Sequence, residues 1–325
     1  MMSNHEPETT NEERERSRPL LISVAVCTHN RADLLRDVLA DLCAQTLDGH
    51  EYEVLVVDNL STDNTRAVVN EFSDRHANVR YVYEPNQGLS HARNRGWREA
   101  NGEYVGYTDD DCRLPVGWLQ AAAEVIRAGH PEVFGGPYYA CYNTPKPRWY
   151  KDEYASQVQD AVPRLLTEGE FLSGGNIFLT RELLERMNGF DTTLGMAGHK
   201  VAYGEETDLI RRTRDAFPET RVHYDPRLHV QHLVRAEKMM LRWVARQRWV
   251  AGRSAFYAFG AQTHRSRREL SGYIMESVRR AFRDVLHMRS RDRQQYPYFQ
   301  NYLYERVFHH FVIMGQLWAE WRESR

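Results

Sequence analysis

From Leu21 onward, short apolar runs alternate with longer segments in which apolar residues return every three or four positions. Residues 22–27, 54–57, 79–83 and 104–108 have the length and the Val, Ile and Tyr content of buried strands. Between them, residues 32–44 carry Leu34, Leu35, Val38, Leu39 and Leu42 on one helical face, residues 64–72 turn Val68, Val69 and Phe72 inward, and a helix over 90–100 is stopped by Asn101-Gly102. Strands that alternate with helices of this length need right-handed crossovers. The pattern therefore predicts an α/β fold on a mainly parallel sheet with helices on both faces, and such sheets bind ligands at the carboxyl ends of their strands.

Past Pro131 the alternation loosens. Residues 133–136 read as a further strand, and 137–152, rich in Pro, Tyr and Lys, as a loop suited to be a mobile lid. Residues 171–180 read as a strand interrupted by Ser173-Gly174-Gly175, where paired glycines signal a bulge or a close backbone approach. A short helix over 181–188 is closed by Gly189, and another is opened by Gly204-Glu205-Glu206-Thr207-Asp208, with acids in its first turn as the helix dipole favours. Beyond Val234 the composition shifts to Arg, Trp, Met and Tyr in long helical patterns. Met239, Met240, Trp243, Val244 and Val250 form a stripe beside Arg242, Arg246, Arg248 and Arg253, and Val307, Phe308, Phe311, Val312 and Leu317 mark a terminal helix. Core packing, self-association and contact with an anionic membrane surface each account for these helices.

Composition narrows the partners. The 325 residues are 42% hydrophobic with a net charge of −2, and the basic residues do not concentrate in the first two thirds, so nucleic acid is not an expected partner. Cys27, Cys43, Cys112 and Cys141 are widely spaced, without a CxxC pair, which fits a reducing compartment. Residues 1–18 lack the apolar core of a signal peptide, and no run approaches the roughly 20 apolar residues of a membrane span. The expectation is a cytoplasmic protein, with peripheral contact at the cytoplasmic membrane face as the variant the C-terminal helices allow.

Candidate chemistry gathers at the strand ends. Asp109, Asp110 and Asp111 follow the fourth strand directly. Two like charges at about 4 Å repel by roughly 4 kcal/mol at an effective dielectric of about 20, and a hard divalent cation held with a phosphate would relieve the strain. An acidic turn capping the helix near Pro115 and Trp118 accounts for the triplet equally well. The other ends are Thr28-His29-Asn30-Arg31, Asp58-Asn59-Leu60-Ser61-Thr62-Asp63 and Glu84-Pro85-Asn86-Gln87-Gly88. Capping explains each residue singly, whereas four polar ends on one edge point to a ligand. GxxxxGK[ST], GxGxxG after the first strand, HExxH and GxSxG are absent. A carboxylate triplet for a metal, a polar edge for a nucleoside and a distant acid pair for proton transfer describe a reaction with a phosphate leaving group.

Ser23-Val24-Ala25-Val26-Cys27-Thr28-His29-Asn30-Arg31, Val56-Val57-Asp58-Asn59-Leu60-Ser61-Thr62-Asp63, Asn86-Gln87-Gly88-Leu89-Ser90-His91-Ala92-Arg93-Asn94 and Thr108-Asp109-Asp110-Asp111 resemble successive motifs of the family 2 glycosyltransferases with the GT-A fold. Gly174-Gly175-Asn176-Ile177-Phe178, Gly189-Phe190-Asp191 and Gly204-Glu205-Glu206-Thr207-Asp208-Leu209 follow in family order, and the resemblance covers about residues 21–235. It implies a flexible N-terminus over 1–20, a GT-A unit over 21–235 with a nucleotide-binding half (21–112) and an acceptor half (113–235), and a C-terminal helical region over 236–325.

The resemblance further implies inverting sugar transfer from a nucleotide diphosphate donor with Mn²⁺ or Mg²⁺, to a saccharide, lipid-linked or small-molecule acceptor. Thr28, Asn30, Arg31, Asp58 and Asn59 would surround the nucleoside, and an Asp58 acceptor for the N3 proton of uracil favours a UDP-sugar. Arg93 and Asp110 would lie near the nucleotide, Asp109 and Asp111 would hold the metal, and His232 would be a further ligand. Where relatives have Glu-Asp this chain has Glu205-Glu206, so the base maps to Glu206, with Glu205 or Asp208 able to substitute if the loop is rotated. Asp191 would assist acceptor binding or cap a helix. Metal-dependent nucleotidyl transfer, and a non-catalytic scaffold that binds sugar nucleotides or membranes, are the competing functions.

Overall fold

Strand β1 (Ile22–Thr28) is buried along almost its whole length, which suits the centre of a sheet covered on both faces. In this computed structural model, which describes residues 20–197, 202–259 and 265–324, it lies between β2 (Tyr52–Asp58) and β4 (Tyr104–Asp109), with β3 (Val79–Tyr83) outside β2 and all four parallel. Apart from Leu20, the N-terminal segment expected to be flexible lies outside the described residues. Crossovers run through α1 (Ala32–Cys43), α2 (Thr65–Ser73) and α3 (Leu89–Glu99).

Side-chain alternation along β1 sorts these helices by face. Val24 and Val26 pack with Leu35, Leu39 and Leu42 of α1, Val68 and Val69 of α2, and Trp118 and Ile126 of α4 (Trp118–Gly129). Ala25 turns the other way, toward Ala92 and Trp97 of α3, Leu183 and Leu184 of α5 (Arg181–Arg186), and Leu209 and Ile210 of α6 (Glu205–Ala216). Full burial of each such aliphatic chain contributes roughly 1.5–3 kcal/mol, so two continuous layers fix the strand ends that carry the polar residues.

The second half completes the sheet in mixed sense. β9 (Asn176–Thr180) runs antiparallel between β4 and β6 (Val133–Gly135), followed by β10 (Val222–Tyr224), parallel to β6, and the edge pair β8 (Arg164–Leu165). A small second sheet has the order β5 (Cys112–Arg113), β11 (Val230–Leu233), β7 (Tyr138–Cys141). The strand expected from residue 171 begins only at Asn176. That side chain is fully buried: Nδ2 donates to the carbonyls of Pro137 and Leu228, and Oδ1 accepts from Trp118 Nε1, so the residue ties three segments together.

The segment expected to be a lid starts as strand β7 and then buries Trp149 and Tyr150 in an aromatic cluster with the C-terminal helices. Those helices are α7 (Leu241–Phe259), α8 (Arg267–His287), α9 (Phe299–Tyr302) and α10 (Phe308–Glu323), with a π-helical turn over Leu303–Val307 leading into α10. Tyr154 stacks on Tyr304 with ring centroids 3.7 Å apart, and Lys151 pairs with Glu305 at 2.8 Å. The stripe that begins at Met239 turns inward: Met239, Val244 and Val250 are buried, and only Met240 of its five residues is exposed. Among the described residues no helix is long and apolar enough to cross a membrane.

Candidate functional site

Strand register brings the polar ends together. Thr28 pairs with Asp58, Cys27 with Asp109 and Asp58 with Tyr83, so all four parallel strands finish at one edge, above a cavity of about 750 Å³. Its lining includes Thr28, Arg31, Asn59, Arg93, Asp109, Asp110, Asp111, Glu205, Glu206 and His232.

The three aspartates have different surroundings. Asp110 points back into the protein, accepting hydrogen bonds from Thr28 Oγ1 at 2.8 Å and Arg31 Nη1 at 2.7 Å, which makes it the anchor of the turn. Burial pushes its carboxyl up to about 6, with Arg31 opposing. Asp109 and Asp111 each offer an oxygen within 4.8 Å of the other and of Cys112 Sγ. Burial holds the Cys112 thiol well above its ordinary value, so the sulfur stays protonated and leaves ligation to the carboxylates.

The small sheet brings an imidazole to the same corner. Pairing of β11 with β5 sets His232 opposite Cys112, with Nε2 3.5 Å from Asp111 Oδ1 and the ring stacked on Tyr138. Burial, assisted by the nearby Lys238, lowers His232 to about 3, so the imidazole is neutral and able to ligate. Its Nδ1 is buried without a hydrogen-bond partner. The Asp109 and Asp111 oxygens, with this neutral imidazole beside Asp111, are donors of the kinds that suit Mn²⁺ or Mg²⁺. Lys238 Nζ lies 3.2 Å from His232 Nε2 and 4.0 Å from Asp111 Oδ2, an oxygen that also has Arg31 Nη1 at 3.4 Å.

Arg93 joins these acids to the second cluster. Its buried guanidinium is 2.6 Å from Glu205 Oε1, 3.9 Å from Glu206 Oε2 and 3.8 Å from Asp109 Oδ1, and it lies over the rings of Tyr107 and Phe190. Glu205 is therefore spent on Arg93, whereas Glu206 sits farther off and lines the cavity. Burial and the neighbouring Glu205 raise the Glu206 carboxyl to about 8, with Arg93 opposing. Asp208 is held by Arg211 and Arg212 at 2.8 and 2.7 Å and does not line the cavity.

Other expected residues lie beside or below the opening. Asp58 is buried, accepting from Ser61 N and Tyr81 Oη, and Asn59 binds the 84–88 loop through Gly88 N and the carbonyls of Glu84 and Asn86. Asn30 is exposed with φ of 53° and accepts from Thr62 N; neither it nor Asp58 lines the cavity. Asp191 is also outside the lining, its Oδ1 accepting from Thr193 N and Oγ1. The glycine pair has an internal reason. A Cβ on Gly174 would overlap the Arg93 guanidinium, and one on Gly175 the Asp109 carboxylate. The sequence pattern did not single out Lys238, Tyr138, Tyr203 or Arg246 for the cavity wall, and it read Trp243 as part of a packing stripe. Tyr138 sits on the four-residue β7, Lys238 on a short 3₁₀ turn and Tyr203 in the segment before α6, all too short to show a period, and Trp243 and Arg246 reach the wall through the packing of α7.

Comparison with known proteins gives the family and the fold. The family described as Glycosyl transferase family 2 matches residues 23–187, about half of the 325 residues. The glycosyltransferase AglE of Haloferax volcanii is 26% identical over 178 residues, which span 54% of this chain and 58% of AglE, less than two thirds of that relative's length. Among solved structures, the mannosyltransferase PcManGT of Pyrobaculum calidifontis, in complex with GDP-Man and Mn²⁺, is similar with a TM-score of 0.64 at 18% identity, covering 95% of this chain and 89% of that one. S. aureus TarS 1-349 in complex with UDP-GlcNAc is similar with a TM-score of 0.52 at 20% identity, covering 75% of this chain and 68% of that one. At these identities the likeness is one of fold, and the fold is GT-A.

Proposed function

This chain belongs to glycosyl transferase family 2, and we propose that it transfers a sugar, with inversion, from a nucleotide diphosphate donor to the hydroxyl of a saccharide, lipid-linked or small-molecule acceptor. One observation carries the proposal: the acid pair Asp109/Asp111 and the acid pair Glu205/Glu206 face one cavity from opposite sides of a single buried arginine. In this reading residues 21–235 form the GT-A unit and residues from 236 on form a helical region that completes the cavity wall with Trp243, Arg246 and Val250.

Asp109, Asp111 and His232 would hold Mn²⁺ or Mg²⁺, which supplies charge neutralisation for the departing diphosphate. Thr28, Asn30, Arg31, Asp58 and Asn59 form the nucleoside edge, with Asp58 and Asn59 shaping the loops that meet it. UDP is the proposed nucleotide on the family resemblance of the Asp58 motif alone, since Asp58 itself is buried below the opening and holds Ser61 N and Tyr81 Oη. Glu206 takes the acceptor hydroxyl proton as that oxygen bonds the anomeric carbon. The bond from that carbon to the diphosphate oxygen breaks on the opposite face, and its electron pair leaves with the nucleoside diphosphate. Arg93 holds Glu205 in a close ion pair at 2.6 Å, whereas Glu206 lies 3.9 Å away and is the carboxyl proposed to exchange the proton.

Product analysis with a panel of sugar nucleotides tests the proposal. Metal-dependent release of a nucleoside diphosphate and an inverted glycoside is expected. Release of pyrophosphate would identify nucleotidyl transfer, and nucleotide binding without turnover a scaffold. Competition of UDP against GDP decides the base.

A further inference from the structure

Helix α8 carries an apolar stripe on its solvent face. Met275, Val278, Phe282, Val285 and Leu286 recur at the three- and four-residue spacing of one helical side, and all are exposed, Phe282 at 63% and Leu286 at 64%. The opposite side faces the protein: Leu270 and Ser277 are buried, and Asp284 is paired with His310 of α10 at 2.9 Å. The stripe is thus an addition to what α8 needs for packing, and a contiguous exposed apolar band of this kind marks a contact surface.

Charge identifies the occupant. Residues 267–293 hold eight arginines against four acids, in a chain whose net charge is −2. The acids are engaged locally: Glu269 in the N-terminal capping box with Ser266, Glu276 with Arg280, Asp284 with His310, and Asp292 with the backbone N–H of Gln294. Arg279 and Arg283 are exposed on the flank of the stripe, next to Val278 and Phe282. Self-pairing along this band by a two-fold axis would bring the arginine flanks of both copies together with only Glu276, already paired with Arg280, between them. Apolar side chains flanked by arginines match instead the boundary between acyl chains and anionic headgroups.

We propose that α8 docks the protein in plane on an anionic lipid bilayer, with Met275, Val278, Phe282 and Leu286 inserted at the headgroup boundary and Arg279 and Arg283 against the phosphates. The proposal is independent of the reaction assigned above. Co-sedimentation of the full chain with phosphatidylglycerol–phosphatidylcholine vesicles tests it, using pure phosphatidylcholine vesicles, Phe282→Glu/Leu286→Glu and Arg279→Glu/Arg283→Glu for comparison. Light scattering gives the oligomeric state of each protein, and circular dichroism its fold.

Binding to the anionic vesicles is expected to fall tenfold or more in the apolar pair variant. Each lost arginine is expected to weaken it about fivefold, and high salt to reverse it. Equal binding to neutral vesicles, or unchanged binding by folded variants, would overturn the proposal. A wild-type dimer that the apolar pair converts to a monomer, without vesicle binding, would assign the stripe to a second copy of the chain instead. If the apolar pair variant does not fold, the exposed arginine variant carries the test alone.

Discussion

Residue chemistry turns on Arg93 and Glu206. Arg93 is 4% exposed and surrounded by Asp109, Glu205 and Glu206, so Arg93→Met would leave the buried Glu205 and the half-buried Asp109 and Glu206 without their cation. A loss of about 3–5 kcal/mol is expected, read as a drop in the urea midpoint. Glu206, raised to about 8 by burial and Glu205, must be deprotonated to act as a base, so the transfer rate should climb with pH through about 8. Glu206→Gln is expected to lower transfer by about 10²–10⁴-fold while leaving nucleotide binding intact by calorimetry. Stability carries the same proton with a definite sign. The folded value lies above the ordinary one, so the contribution is full at low pH and is lost as pH rises through about 8. Urea midpoints of wild type and Glu206→Gln should therefore agree more closely at pH 5 than at pH 9, where the glutamine variant gains.

Elements explain how such residues meet and how far the sequence revealed them. Gly175→Ala would press a methyl group into the Asp109 carboxylate, and Mn²⁺ affinity is expected to fall about 10–100-fold, with little change in the urea midpoint. The glycine pair was legible as a close backbone approach, but the approaching groups are the chain's own Arg93 and Asp109, which no local pattern encodes. Strands β1, β2 and β4 were legible as continuous apolar runs buried on both faces, and helices α1 and α2 because each is long enough to show its period. Strands β5, β8, β10 and β11 span two to four residues, too few for a period to be recognised, yet β11 sets His232 beside Asp111. Lys238 was missed for the same reason: a short 3₁₀ turn after β11 carries it over the acids.

At the scale of the molecule, the C-terminal helices clamp the segment between β7 and β8. Asn301 Nδ2 donates to the Trp149 carbonyl, and Tyr304 stacks on Tyr154 and donates to its carbonyl. Tyr304→Ala is expected to cost about 3 kcal/mol and to open residues 142–157 to limited proteolysis. The change of composition after Val234 gave no sign that aromatic residues from both sides of that point share one core. Through that core the helices also present Trp243 and Arg246 to the cavity, so packing and the site are built by the same elements.

The division of labour between the two acid pairs is tested most directly by a Mn²⁺ titration followed by electron paramagnetic resonance in the presence of UDP, on wild type, Asp111→Ala and Glu206→Gln. One bound ion is predicted for wild type and for Glu206→Gln, and none for Asp111→Ala. Undiminished binding by Asp111→Ala, or its loss in Glu206→Gln, would contradict the assignment.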